Sequence, residues 1–87
     1  MRVVCVWRRE SDYGRMVEEW IGEFERRSGA EVESVNPDTR EGASLCQAYG
    51  VVEYPTLMAI DKDGKAVADW RGQMLPRFDE VMYWVLK

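Results

Sequence analysis

The chain has 87 residues, enough for one domain with one compact core and no need of covalent staples. A formal net charge of −4 supplies no basic stripe for nucleic acid, and no apolar run approaches the ~20 residues of a membrane span. Two cysteines and no histidine exclude the common zinc sites and histidine-based catalysis, so no metal site and no cofactor are expected.

The first element is Val3-Val4-Cys5-Val6-Trp7, a continuous apolar, β-branched run. That pattern predicts a central strand buried on both faces. It ends in Arg8-Arg9, too soon for the apolar region of a secretory leader, which points to a cytoplasmic location. The polar loop Arg8-Arg9-Glu10-Ser11-Asp12 follows, and Ser11 or Asp12 is expected to cap the next helix. In that helix Met16, Val17, Trp20, Ile21 and Phe24 form an apolar stripe opposite Glu18, Glu19, Glu23 and Glu25. Arg26-Arg27 suit its C-terminus and Gly29 its stop, while Gly22 weakens its middle by about 1 kcal/mol relative to alanine.

Residues 31–35 read as a second, more exposed strand, and the strand–helix–strand order implies a right-handed crossover to a parallel neighbour. A short helix is predicted over 41–49, closed by Gly50. Thr56-Leu57-Met58-Ala59-Ile60 is a third strand, and Asp61-Lys62-Asp63-Gly64 a hairpin turn in which Gly64 supplies positive φ. Residues 65–70 return as an edge strand carrying Trp70, which suggests an oligomerising edge as one structural alternative. Pro76 is expected to open the last helix, with Phe78, Val81, Met82 and Val85 as its buried stripe. The result is an α/β domain over 1–87 with β-α-β-α-β-β-α order: a four-stranded mixed sheet with helices on both faces.

That order, together with two motifs, resembles the thioredoxin-like family. The segment Tyr49-Gly50-Val51-Val52-Glu53-Tyr54-Pro55-Thr56-Leu57 is similar to the family's Tyr-Gly-Val-x-x-aromatic/aliphatic-Pro-Thr signature. Trp7 through Met16 aligns without gaps on the family's active-site segment Trp-Ala-x-Trp-Cys-Gly-Pro-Cys-Lys-Met. The resemblance covers nearly the whole chain, as a minimal version lacking the family's extra N-terminal strand and helix. It implies a cis Pro55 that turns the backbone of Tyr54 toward the active-site edge, where the family pairs it with extended peptide.

The same alignment puts Ser11 and Gly14 where the family has its two cysteines, so the redox motif reads Ser11-Asp12-Tyr13-Gly14. Disulfide exchange needs a thiolate activated at a helix N-terminus and a second thiol to resolve the mixed disulfide. Serine has no useful anion near neutral pH, and glycine has no side chain. Cys5 also stands at the position of the family's buried carboxylate. No catalytic residue is therefore expected. The implied role is a redox-inactive, cis-proline binding module for an extended peptide or protein, with Trp7, Ser11, Asp12, Tyr13, Tyr54 and Pro55 on the former active-site face. Arg8, Arg9 and Arg15 around the helix start form a candidate anion site, although a capped helix with solvated arginines explains the same residues. The enzymatic alternative is an oxidoreductase using Cys5 or Cys46, although both read as packing residues.

Overall fold

The computed structural model describes residues 1–87. The elements are β1 (Arg2–Val6), α1 (Gly14–Ser28), β2 (Val32–Val35), α2 (Arg40–Tyr49), β3 (Thr56–Ile60), β4 (Ala66–Arg71) and α3 (Phe78–Val85). The strands form one sheet in the order β2-β1-β3-β4. β1 runs parallel to β2, with Val3 opposite Val32, and antiparallel to β3, with Cys5 opposite Leu57. β3 and β4 form the hairpin, and Gly64 turns it at φ 83°. Asp61 tightens the turn, its Oδ1 accepting the N–H groups of Asp63 and Lys65 at 2.9 Å each.

The apolar run of β1 lies in the middle of the sheet because both of its faces have something to cover. Side chains alternate across a strand. Val3, Cys5 and Trp7 therefore meet Val17, Ile21 and Phe24 of α1, Val81 of α3 and Leu57 of β3. Val4 and Val6 turn the other way, toward Cys46 of α2, Val51, Met58 and Ile60. The sheet thus separates two cores, with α1 and α3 on one side and α2 on the other. Fully buried Phe24 stacks on Trp20 at 5.1 Å between centroids, and Phe78 meets both rings edge-on. The Trp20 indole N–H donates to the Pro76 carbonyl at 2.9 Å, tying the approach of α3 to α1. Burying a side chain of this size is worth about 1.5–3 kcal/mol.

Several local expectations are corrected. Neither Ser11 nor Asp12 caps α1: its N-cap is Tyr13, with no side-chain hydrogen bond to the first turn. Ser11 instead donates its hydroxyl to the Arg8 carbonyl at 2.6 Å, which folds the loop on itself. Pro76 precedes α3 rather than opening it. The N-cap is Arg77, whose backbone N–H donates to the Glu80 carboxylate at 2.7 Å. Met16, assigned to the buried stripe, is 39% exposed. Trp70 is half-buried and packs against the α1/α3 core, with part of its ring still exposed on the edge strand. α2 begins one residue earlier than predicted, because Thr39 caps it by accepting the Gly42 N–H at 2.9 Å.

Candidate functional site

The loop between β1 and α1 is built around Arg8. Trp7, one residue past β1, donates its N–H to the Val35 carbonyl of β2 at 3.0 Å. The chain then leaves the sheet. The Arg8 N–H donates to the Tyr13 hydroxyl at 3.2 Å, and the Gly14 N–H donates to the Ser11 carbonyl at 3.2 Å. The turn is so tight that a Cβ on Gly14 would lie 2.1 Å from the Arg9 carbonyl oxygen and 2.9 Å from the Arg9 carbonyl carbon. Position 14 is therefore closed to any side chain by backbone, which moves far less readily than a flexible side chain. Ser11 is half-buried and committed to Arg8, and Asp12 is exposed.

Neither cysteine replaces what this helix start lacks. Cys5 and Cys46 are both buried and unpaired. They lie in different cores, on opposite sides of the sheet, so they cannot form a working pair with each other. Burial pushes the Cys5 thiol up to about 12, far from the range in which a thiolate forms at neutral pH. No group of three or more histidine, cysteine, aspartate or glutamate residues is arranged to hold a metal ion.

The Tyr54–Pro55 bond is cis. Its surroundings are anchored on each side. The Thr56 hydroxyl donates to the Glu53 carbonyl at 2.6 Å, and the Gly72 N–H donates to the Pro55 carbonyl at 2.8 Å. Arg71 of β4 reaches across to the C-terminal end of α2, donating to the Gly50 carbonyl at 2.8 Å. Between these anchors, the N–H and C=O of Tyr54 itself form no hydrogen bond within the chain. The Tyr54 phenol is pushed above its ordinary value, first by burial and then by the neighbouring Cys46 thiol, so it is neutral near pH 7.

Arg8 joins the two halves of the site. Its guanidinium lies 4.7 Å from the centre of the Tyr54 ring and grips the Asp38 carboxylate with two hydrogen bonds, 2.8 and 2.9 Å long. The pairing holds the Asp38 carboxyl below its usual range and raises the Arg8 guanidinium above its own. The other two arginines point elsewhere. Arg9 pairs with Glu18 and lies 5.0 Å over the Trp7 ring, and Arg15 pairs with Glu19 at 3.5 Å. Each guanidinium of the candidate anion site thus faces its own carboxylate. Trp7, expected on the former active-site face, is only 4% exposed and belongs to the core. The structure brings Arg8, Ser11, Tyr13, Tyr54 and Pro55 together and puts Trp7 in the core between the sheet and α1. Two strongly exposed apolar residues that the sequence did not single out lie close along the chain: Val52, 85% exposed, two positions before Tyr54, and Met74, 91% exposed, two positions after Gly72. None of the cavities is lined by Tyr13, Tyr54 or Pro55, so the region is open surface rather than a pocket.

No protein-family model matches the chain, and no curated protein matches it. Solved structures do. The chain is similar to thioredoxin 1 from the thermophilic eubacterium Thermosipho africanus TCF52B, with a TM-score of 0.70 at 14% identity, over 99% of this chain and 91% of that one. It is also similar to a structure described as a malarial protein, with a TM-score of 0.66 at 13% identity, over 97% of this chain and 91% of that one. At this level of identity the likeness establishes the fold: the chain has the thioredoxin fold. No helix is long and apolar enough to cross a membrane.

Proposed function

We propose that this thioredoxin-fold chain is a binding module without disulfide-exchange chemistry, and that it holds an extended peptide against Tyr54. The observation that carries the first half is at Gly14. The position that a resolving thiol would need is filled by the backbone of Arg9, while the two real thiols are buried on opposite sides of the sheet. A dithiol mechanism needs an accessible, acidified pair. A monothiol mechanism needs one such group, and Cys5 is driven the wrong way by burial.

The second half is supported by the free backbone of Tyr54. An unpaired N–H and C=O in one residue, framed by anchored neighbours, is what strand-like pairing with a peptide requires. The exposed apolar side chains of Val52 and Met74 and the absence of a cavity favour an extended chain over a small molecule.

Insulin reduction by dithiothreitol tests the absence of chemistry: the protein should leave the rate of precipitation at the level of buffer alone. Acceleration that disappears in Cys46→Ser would overturn the reading in favour of a thiol enzyme. Amide chemical-shift mapping against blocked, extended peptides tests binding. Shifts should centre on Tyr54 and its flanks. Shifts confined to other faces would refute the assignment of the site.

A further inference from the structure

We propose that Asp38 is an internal stand-in for a ligand carboxylate, so that the Tyr54 surface selects extended peptides carrying an acidic side chain, which displaces Asp38 from Arg8. The inference rests on the peptide-binding reading above and adds the chemical class of the ligand.

The geometry of Arg8 is that of a carboxylate receptor. A guanidinium presents paired N–H groups in a planar fork, and Arg8 uses Nε and Nη2 to hold both oxygens of Asp38, at 2.8 and 2.9 Å. Its base is held in place. The Arg8 N–H is fixed to the Tyr13 hydroxyl, its carbonyl accepts from Ser11, and its guanidinium lies over the Tyr54 ring. A carboxylate held by Arg8 is therefore held beside Tyr54, whose backbone N–H and C=O are free to pair.

Asp38 is the weaker side of the contact. It comes from the loop between β2 and α2, thirty positions along the chain from Arg8, and its side chain is 61% exposed. Exposed ion pairs contribute little, because water and salt compete for both partners. A carboxylate delivered by a peptide already paired to Tyr54 would compete at high effective concentration. Arg9 and Arg15 offer no equivalent, since their partners lie on α1 and neither guanidinium lies over Tyr54.

The occupant is an acidic side chain rather than a chain end for two reasons. The carboxylate now seated on Arg8 is itself a side chain. Strand-like pairing at Tyr54 also needs peptide on both sides of the contact, and a C-terminus would remove one side.

The test uses the full chain and its Asp38→Asn and Arg8→Gln variants. The probes are a blocked, β-forming heptapeptide with aspartate at its centre, the same peptide with asparagine there, and a neutral peptide with a free C-terminus. Affinity is read from amide shifts at Tyr54. Asp38→Asn keeps the side-chain shape and leaves intact the bond from its own N–H to Asn36 Oδ1. It should tighten the aspartate peptide by about fivefold and leave the asparagine peptide unchanged. Arg8→Gln should bind both blocked peptides alike.

An aspartate peptide that gains nothing in Asp38→Asn, or an asparagine peptide that gains equally, overturns the proposal. So does a free C-terminus that matches the aspartate peptide. If the blocked peptides shift Tyr54 without preference, the acidic selectivity fails while the binding surface stands. If none of them shifts Tyr54, both fail.

Discussion

Alanine at two glycine positions of α1 should move stability in opposite directions. At Gly14 a new Cβ would sit 2.1 Å from the Arg9 carbonyl oxygen and 3.3 Å from that of Arg8. Non-bonded contacts to carbon settle at about 3.5 Å, so the loop or the helix start has to retreat by on the order of 1 Å. The loop resists, because the Ser11 hydroxyl and the Tyr13 hydroxyl both hold Arg8. Overpacking typically costs 1–3 kcal/mol, and a clash against backbone belongs at the upper end, about 3 kcal/mol. For a domain of this size that is a fall in Tm of about 12–24 °C. Gly22 is different. It lies mid-helix, exposed, with nothing within 4 Å of a built Cβ. Gly22→Ala should stabilise by about 1 kcal/mol, through propensity alone. Urea denaturation of both variants and the parent, with m-values compared, separates the two cases. A Gly14→Ala midpoint within about 0.5 kcal/mol of the parent would refute the claim that backbone closes this position. It would also reopen the route by which Ser11→Cys with Gly14→Cys could build a dithiol.

Three further outcomes follow from the buried thiols and the caps. In the native protein neither Cys5 nor Cys46 should react with a thiol reagent at pH 8 on a timescale of minutes, and both should react in urea; a fast native phase would contradict their burial. Stability should fall as pH rises from about 8.5 toward 12, because the unfolded chain releases the Cys5 proton while the folded chain retains it. The slope from this one group reaches at most about 1.4 kcal/mol per pH unit, and it should be missing from Cys5→Ala when each variant is referenced to its own value at pH 7. Thr39→Ala removes the hydroxyl that accepts the Gly42 N–H at 2.9 Å and should cost about 1 kcal/mol by urea denaturation; no loss would show that the cap is dispensable.

Much of the fold was legible in the residues because the strongest signals are periodic. The β1 run, the uninterrupted β3 segment and the stripe of Val17, Ile21 and Phe24 each follow from the spacing of apolar side chains. Glycine placed the ends of two helices, since Gly29 and Gly50 both adopt the left-handed conformation. The caps were harder. Serine and aspartate compete between capping a helix and bonding their own loop, and Ser11 took the loop. An aromatic residue at a strand end fits surface and core equally well, and Trp7 lies in the core with Val17 and Phe24 of α1. The contact that organises the site was invisible in advance. Arg8 and Asp38 meet across two separate βα loops, and no local pattern announces a pairing thirty residues apart. Gly14 was visible as a lost cysteine position, but the reason that only glycine fits there is a neighbouring carbonyl, which appears only once the loop is folded.

The anchors around the cis-proline turn bear on how a partner would experience this surface. Hydroxyl, amide and guanidinium groups from Thr56, Gly72 and Arg71 fasten the chain before and after Tyr54 while leaving its own polar pair open. A ledge fixed in this way is already in its receiving shape. An arriving strand would have to order only itself, and loosening any one of these ties should weaken recognition through disorder in the receptor before a single direct contact is lost.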